Sequence, residues 1–360
     1  MRIAIFHNFL DNIGGAERVG LTLARELNAD VYSTNIDQEK IVKMGFSDVK
    51  TISIGKVPVN PPFRQQIATQ KFRRVNLKGK YDFFIIDGDW AWSAAVNNKP
   101  NLCYVHSPTR ELWDLYEYTR EKIPWYTRHF FDLWTSFNRR LVMKYSNNIK
   151  IMACNSENTR NRIKKYLGRD ATVIHPPIET SKFHYVKNGD FWLSVNRLIN
   201  HKRVDLQLKA FEKMPDERLV VVGCYESSDH WKEYKKYIED IKPSNVELIH
   251  QVEFEKLVDL YANCKGFITT AHDEDFGMTP VEAMASGKPV IAPKEGGYVE
   301  SIVDGETGFL IEEIDEGKII LAVRDLGENP ESYKRACLNQ AEKFTTEIFT
   351  GKIRNLINER

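Results

Sequence analysis

The sequence predicts an α/β protein made of two doubly wound parallel sheets, and three observations support this class. Its 360 residues suit two domains, each large enough to bury a hydrophobic core. Short apolar strand patterns alternate with amphipathic helical stretches throughout both halves. Both halves also open alike, with a buried-strand pattern at 2–6 and at 191–195 that leads through a loop into a helical stretch.

The first half contains seven strand patterns and the second contains six. Those of the first half lie at 2–6, 30–33, 50–53, 81–86, 102–105, 149–153 and 172–174. Those of the second half lie at 191–195, 218–222, 246–249, 266–270, 289–292 and 307–311. Helical patterns with one apolar face follow the opening strands, at 16–27 and at 204–214. Each half is therefore predicted to form its own parallel sheet.

A linker divides the two halves. The segment His175-Pro-Pro-Ile-Glu179 cannot continue a helix, because proline removes a backbone donor and restricts the residue before it. We expect domains at 1–178 and 179–345, and a C-terminal helix at 346–360 that packs back on the first domain. Ligands of such sheets bind beyond the carboxyl ends of the strands, so two facing domains would bind one in the cleft between them.

Composition and charge narrow the function. With 42% hydrophobic and 28% charged residues, the chain is neither disordered, collagen-like nor a coiled coil. Residues 1–185 contain 28 Lys and Arg and 18 Asp and Glu, a net charge of +10. Subtraction from the totals of 51 and 50 leaves 23 and 32 for the second half, a net charge of −9. The first half is expected to face a phosphorylated acceptor or an acidic lipid surface, although attraction between the halves would explain the same asymmetry.

Cysteine usage and the first residues bear on the compartment. The five cysteines include no CxxC pair, which indicates buried free thiols and a reducing environment. The apolar start is too short for a signal peptide, and no run reaches the roughly 18 apolar residues of a membrane span. We expect a cytoplasmic protein.

A glycine pair follows the first strand. In Asn12-Ile-Gly-Gly-Ala-Glu-Arg18, Gly14 and Gly15 would let the backbone approach a phosphate where the helix begins and its N–H groups are exposed. The spacing differs from the dinucleotide-binding GxGxxG. A tight strand-to-helix turn that binds nothing is the alternative.

Two cations follow the first strand of the second half. Arg197 and Lys202 lie five positions apart in a strand-to-helix loop, and such a pair suits a diphosphate. A solvated basic loop is the alternative, but the surrounding half carries −9, so these cations oppose the local trend.

Two carboxylates, Glu274 and Glu282, lie eight positions apart across another strand-to-helix junction. We expect a helix to begin at Pro280, with the N–H groups of Met278 and Thr279 exposed and Glu282 in the first turn. Glu274 and Glu282 would then accept hydrogen bonds from sugar and ribose hydroxyls. Stabilisation of the helix dipole by acidic residues is the alternative.

With these motifs the sequence resembles the family 4 glycosyltransferases, which have the GT-B fold of two facing Rossmann-like domains and retain the anomeric configuration. The resemblance spans nearly the whole chain. It is carried by the glycine-pair loop, Tyr104-Val-His-Ser-Pro108, the Arg197 to Lys202 loop and the Glu274 to Glu282 block. Beyond that block it continues through Ala283-Met-Ala-Ser-Gly-Lys-Pro289, Gly296-Gly297 and residues 300–308.

The resemblance assigns roles to individual positions. It implies that Glu282 binds the donor ribose, that Glu274 contacts the donor sugar, and that His106 points at the transferred sugar. Arg197 and Lys202 would neutralise the diphosphate, with Gly15 closing on it from the first domain. The remaining donor contacts would be the backbone of Phe276, Gly277, Met278 and Thr279, and Gly223 and Val252 beside the base. Gln251, where many relatives have glycine, is a departure. Without the resemblance, a lone histidine such as His106 is more often structural.

The function implied is a mannosyltransferase-like enzyme that moves mannose from GDP-mannose to a saccharide or polyprenyl-linked acceptor in cell-surface glycan synthesis. A UDP-sugar donor, an epimerase or phosphorylase of similar architecture, and a catalytically silent binding protein are the alternatives. No cofactor or metal is expected. Asp87-Gly-Asp89 follows a strand as metal-binding DxD motifs do, but here cations of the protein would serve the diphosphate.

An aromatic and basic stretch suggests where the acceptor is met. Residues 113–137 contain nine aromatic side chains interleaved with arginine and lysine, and residues 63–80 add further basic side chains. Such a stretch suits peripheral docking on an anionic membrane through residues 110–145, at the inner face of the membrane. A core helix with a solvated basic face is the alternative. No nucleic-acid partner is expected, since no binding motif accompanies the charge.

Overall fold

The computed structural model describes residues 1–224, 232–250 and 252–359. The chain divides into two units, one formed by Met1–His175 together with Thr350–Arg360 and the other by Pro176–Phe349. Each unit has its own sheet and its own apolar core.

The first unit is built on a seven-stranded parallel sheet. Its strands are β1 (Ile3–Leu10), β2 (Asp30–Ile36), β3 (Thr51–Ser53), β4 (Phe83–Asp87), β5 (Asn101–Val105), β6 (Ile151–Cys154) and β7 (Thr172–Val173). They are ordered β3-β2-β1-β4-β5-β6-β7. The central strands β4 and β5 are buried along their whole length, which explains their continuous apolar sequences.

The second unit contains a six-stranded parallel sheet. Its strands are β8 (Phe191–Arg197), β9 (Arg218–Cys224), β10 (Val246–Ile249), β11 (Gly266–Ile268), β12 (Val290–Pro293) and β13 (Gly308–Ile311). The order β10-β9-β8-β11-β12-β13 places β8 and β11 side by side, with Phe267 opposite Leu193. The carboxyl ends of these two neighbouring strands therefore meet at one edge of the sheet.

Helices connect the strands in both units. Those of the first are α1 (Gly15–Leu27), α2 (Gln38–Lys43), α3 (Phe63–Arg74), α4 (Tyr116–Lys122), α5 (Arg128–Ser146) and α6 (Glu157–Leu167). Those of the second are α7 (Val204–Glu212), α8 (Lys232–Ile241), α9 (Phe254–Asn263), α10 (Met278–Ala285), α11 (Tyr298–Ser301), α12 (Glu316–Glu328) and α13 (Lys334–Ala341). The chain ends in α14 (Thr346–Asn358).

The strands confirm the predicted fold class. Each of the thirteen strand patterns corresponds to a strand, although several ends differ; β1, for example, continues to Leu10. Among the described helices, none combines the length and the apolar character that a membrane crossing requires. Cys103, Cys154, Cys264 and Cys337 are buried free thiols.

Candidate functional site

The second unit brings two predicted site residues into direct contact. Lys202 lies in a short turn between β8 and α7, and Glu274 lies in the loop between β11 and α10. The Nζ of Lys202 donates to Oε2 of Glu274 at 2.5 Å, and the two side chains are 15% and 19% exposed. Because β8 and β11 are neighbours, loops 72 positions apart in sequence meet at the same edge of the sheet. Arg197, the last residue of β8, is exposed at this edge.

The helix after Glu274 begins earlier than predicted. The start at Pro280 was wrong, because α10 begins at Met278 directly after Gly277, whose φ of 85° is left-handed. Pro280 is tolerated as the third helical residue, since an N–H at that position has no partner within the helix. Met278 and Thr279 thus lie in the first turn, where backbone N–H groups point outward and can bind oxygen atoms.

Glu282 consequently lies in the second turn of α10, whereas we predicted that it lies in the first. Its Oε2 accepts a hydrogen bond from the hydroxyl of Tyr261 at 2.8 Å. Tyr261 on α9 is fully buried, so it fixes the direction of the Glu282 carboxylate. The sequence did not single out Tyr261, because nothing local relates it to a helix 17 residues later.

Close backbone packing holds the loop that carries Glu274. The N–H of Gly297 donates to the carbonyl oxygen of Glu274 at 2.8 Å. A side chain on Gly296 would come within 2.5 Å of the same carbonyl oxygen, and one on Gly277 would come within 2.5 Å of the Tyr298 ring. These glycines let two backbones approach each other, which explains the Gly296-Gly297 pair. Phe276 anchors the loop from below with a fully buried ring.

The two residues predicted to flank a nucleobase lie on different elements. Gly223 lies near the end of β9 opposite Asn196 of β8, and a side chain there would come within 2.7 Å of Leu198. Val252 is half-buried just before α9 and packs on the core of this unit. The departure at Gln251 falls outside the described residues.

In the first unit, the predicted glycine pair lies where β1 leads into α1. Gly14 occupies the N-cap position with an extended backbone, and Gly15 begins the helix. Gly14 has no side chain with which to cap the helix. The first backbone N–H groups of α1 have no acceptor within the helix, and N–H groups at a helix start can bind an anion.

His106 belongs to a group of three side chains, with Asp87 and His7, whose contacts the sequence did not predict. It follows β5, and its Nε2 lies 2.5 Å from Oδ1 of Asp87 at the end of β4. The second oxygen of Asp87 lies 2.9 Å from Nδ1 of His7 on β1. The register of β1 and β4 pairs His7 directly with Asp87, so one carboxylate connects two imidazoles.

The electrostatics of this group favour the charged forms of Asp87 and His7. Burial alone would raise the pKa of Asp87, but the charge and hydrogen bond of His106, followed by those of His7, lower it to about 2. Burial likewise disfavours a charged His7, yet the hydrogen bond and charge of Asp87 raise the pKa of His7 above its ordinary value. Asp87 is fully buried, whereas 23% of the His106 side chain is exposed. His106 is therefore the member of the group that can reach a ligand.

Both aspartates of Asp87-Gly-Asp89 have partners within the protein. Asp89 accepts hydrogen bonds from Nδ2 of Asn8 at 2.7 Å and from the Thr109 hydroxyl. Within the ranges that the structure describes, no group of three or more His, Cys, Asp or Glu side chains could hold a metal ion.

Family models match both parts of the chain. The model described as glycosyltransferase family 4 matches residues 13–182, and the model described as glycosyl transferases group 1 matches residues 178–343. Together they cover the chain from residue 13 to residue 343.

Curated relatives and solved structures give the same result. An alpha-1,3/1,6-mannosyltransferase of Candida glabrata is 28% identical, covering 98% of this chain and 90% of the relative. An uncharacterized glycosyltransferase of Methanocaldococcus jannaschii is 27% identical over 62% of this chain, and the match spans 64% of that relative, less than two thirds of its length. The crystal structure of Anabaena HepE in complex with UDP and glucose covers 100% of both chains, with a TM-score of 0.80 and 18% identity. This likeness confirms the predicted GT-B class of fold.

Proposed function

Since the chain belongs to the glycosyltransferases of family 4, we propose that it is a retaining enzyme that transfers mannose from GDP-mannose to a lipid-linked or saccharide acceptor, without a metal ion. The observation that carries this proposal is the contact between Lys202 and Glu274 beside the first turn of α10. The site thus offers a cation, a carboxylate and outward-pointing backbone N–H groups within one sheet edge. That combination suits a sugar attached to a diphosphate.

The chemistry needs charge stabilisation more than it needs a nucleophile. As the bond from the anomeric carbon to the phosphate oxygen breaks, negative charge grows on the diphosphate, and Lys202, Arg197 and the α10 amides stabilise it. The acceptor oxygen bonds to the anomeric carbon on the same face, and its proton passes to the departing phosphate oxygen. A covalent intermediate would need a carboxylate against the anomeric carbon. Glu274 instead orients a sugar hydroxyl, and His106 stabilises the reacting sugar.

One relative favours mannose as the transferred sugar. The Candida glabrata protein, whose match covers 98% of this chain, is named a mannosyltransferase. A UDP-hexose is the second candidate, because the HepE structures contain UDP and UDP-glucose. Both donors carry a hexose on a nucleoside diphosphate, so the proposed roles of Lys202, Glu274 and Glu282 apply to either. The contacts to the base and to the C2 hydroxyl of the hexose would differ.

A donor panel tests this proposal. Purified protein is incubated with GDP-mannose, UDP-glucose or UDP-N-acetylglucosamine and a polyprenyl-diphosphate saccharide, with and without EDTA, and the product linkage is determined by NMR. We expect an α-linked product from the α-configured GDP-mannose, unaffected by EDTA. Transfer only from UDP-sugars would show that the donor is a UDP-sugar and not GDP-mannose. A β-linked product would exclude retention, and conversion of a donor without any acceptor would indicate an epimerase.

Residues 110–145, which we propose to contact a membrane, contain two kinds of aromatic side chain. Tyr116, Phe131 and Trp134 are half-buried and stack on one another, with ring centroids 5.6 and 5.9 Å apart. By contrast, Trp125 is 79% exposed and Phe130 71% exposed. The stretch therefore combines packed rings with an exposed surface, and only the second kind could meet a membrane.

The exposed side chains share one face of α5. Phe130, Leu133 and Phe137 are three and four residues apart and more than half exposed, just after Trp125 and Tyr126. Arg140 and Lys144 are exposed further along the same helix. Exposed aromatic groups beside cations suit the headgroup level of an anionic bilayer, where a lipid-linked acceptor would be found.

Vesicle flotation tests the contact. The protein should float with vesicles that contain 30% phosphatidylglycerol and remain in solution with pure phosphatidylcholine. The variant Phe130→Ser/Phe137→Ser should lose flotation, whereas Leu321→Ser, a change of a 68% exposed side chain in α12, should not. Equal flotation of both variants, or none for the natural protein at low salt, would remove the membrane contact from the proposal.

A further inference from the structure

Arg203 has a backbone conformation that disfavours its own side chain. Its φ of 48° and ψ of 40° are left-handed, a region that glycine enters freely and other residues enter at a cost. The residue lies between Lys202 and the first residue of α7. Strain of this kind persists when the surrounding contacts require it, and it concentrates at functional sites.

The guanidinium of Arg203 contacts two further segments of the second unit. Its Nε donates to the carbonyl oxygen of Thr270 at 2.6 Å. Its Nη2 donates to Oε1 of Glu295 at 2.5 Å and approaches the carbonyl oxygen of Ala271 at 3.4 Å. Thr270 and Ala271 open the loop that carries Glu274, and Glu295 directly precedes Gly296-Gly297. One side chain therefore links the turn of Lys202 to both of the segments that hold Glu274.

Backbone contacts reinforce the same connection. The hydroxyl of Thr270 lies 2.9 Å from the carbonyl oxygens of both Lys202 and Arg203. The N–H of His272 donates to the carbonyl oxygen of His201 at 2.7 Å. Asp273, directly before Glu274, is also left-handed, with a φ of 47°. The turn is thus joined to the loop through residues on both sides of Lys202, and in both segments a left-handed residue lies next to the charged one.

We propose that Arg203 is a positioning residue that holds the Glu274 loop against the Lys202 turn, so that both side chains meet the donor in a fixed geometry. The charge of Arg203 is offset by Glu295, which suits a structural link more than a direct contact with the diphosphate. This inference rests on the proposed function, in which Lys202 and Glu274 bind the donor.

The variant Arg203→Gly separates positioning from folding. Glycine relieves the left-handed backbone but removes the guanidinium, whereas Arg203→Ala removes the guanidinium and keeps the strain. We expect Arg203→Gly to have a higher Tm than Arg203→Ala, and both variants to lose about tenfold or more in kcat/KM, because small misplacements of reacting groups are costly. If Arg203 only stabilised the fold, the loss of kcat/KM would follow the loss of Tm, and Arg203→Gly would be the more active of the two variants.

Glu295→Gln provides a variant that leaves the backbone of the turn unchanged. It should also lower kcat/KM, and Arg203→Gly/Glu295→Gln should be no worse than Arg203→Gly alone, since Glu295→Gln weakens a contact that Arg203→Gly has already removed. Additive losses, or Arg203→Gly with natural kcat/KM and natural affinity for GDP, would overturn the inference. GDP titration of the unmodified protein distinguishes failure of the proposed function from failure of the positioning role of Arg203. If the unmodified protein neither bound GDP nor turned over a donor, the proposed function would be contradicted, and the role of Arg203 with it.

Discussion

The polar groups at the strand ends are held differently in the two units. In the first, Asp87 is completely buried between His7 and His106, and the register of adjacent strands sets their contact. In the second, Lys202 and Glu274 are partly exposed and lie on loops that other loops hold in place. Residues positioned by a sheet are coupled to folding, whereas residues positioned by loops can change with less effect on stability. Substitutions of Lys202 and Glu274 should thus mainly affect activity, and those of the buried Asp87 and His7 should mainly affect stability.

The largest effect is expected from Lys202→Ala or Glu274→Gln. Each should reduce the transfer rate at least about 100-fold, because each removes a group that faces developing charge or the sugar. Their Tm values should stay within a few degrees of the natural protein. The matched control is Lys213→Ala, which removes an exposed lysine paired with Glu316 in the same unit. Natural turnover in either site variant would contradict the site assignment.

Asp87→Asn should have the largest effect on stability. Removing one member of a buried charged group leaves the others uncompensated, and we expect a loss of about 3 kcal/mol in the free energy of unfolding. Urea denaturation followed by circular dichroism measures it. A loss below about 1 kcal/mol would show that the group contributes no more than an exposed ion pair.

The difference in the free energy of unfolding between the natural protein and Asp87→Asn should depend on pH. The lowered pKa of Asp87 adds stability above about pH 4, which is lost as the pH falls toward 2. The raised pKa of His7 adds stability that is complete below about pH 6.5 and is lost as the pH rises through its folded value. The difference between natural protein and Asp87→Asn should therefore be largest between about pH 4 and 6.5. A difference that grew above pH 8 would contradict the charge assignment.

A smaller loss of stability is expected from Gly20→Ala, because Gly20 lies inside α1 and packs against Asp87 and His7. A methyl group there would overlap Oδ2 of Asp87 and lie 3.1 Å from Nδ1 of His7. Gly20→Ala should destabilise the protein by about 1–2 kcal/mol, because the overlap outweighs the gain of about 1 kcal/mol in helix propensity. The control is Gly351→Ala in α14, where no non-neighbouring atom of the described residues lies within 4 Å of an added methyl group. That variant should be more stable by up to about 1 kcal/mol, and equal effects of the two substitutions would contradict the packing argument.

The sequence predicted the sheets well because continuous apolar runs are a local signal. The family resemblance also assigned Lys202 and Glu274 to one donor site, but their direct contact was not predicted. The sequence did not predict the link between His7 and Asp87, which depends on the β1 to β4 register across 80 residues, or between Arg203 and Glu295, which spans 92. The start of α10 was misplaced because Pro280 suggested a first residue, whereas the left-handed Gly277 sets it.

Crystals soaked with GDP-mannose test most directly whether the loops after β8 and β11 bind a nucleotide sugar. We expect diphosphate density beside Lys202 and Arg197, with the N–H groups of Met278 and Thr279 directed at phosphate or sugar oxygens, and ribose hydroxyls at Glu282. Density for the nucleotide at any other place on the second unit, with the Lys202 to Glu274 contact unchanged, would contradict it.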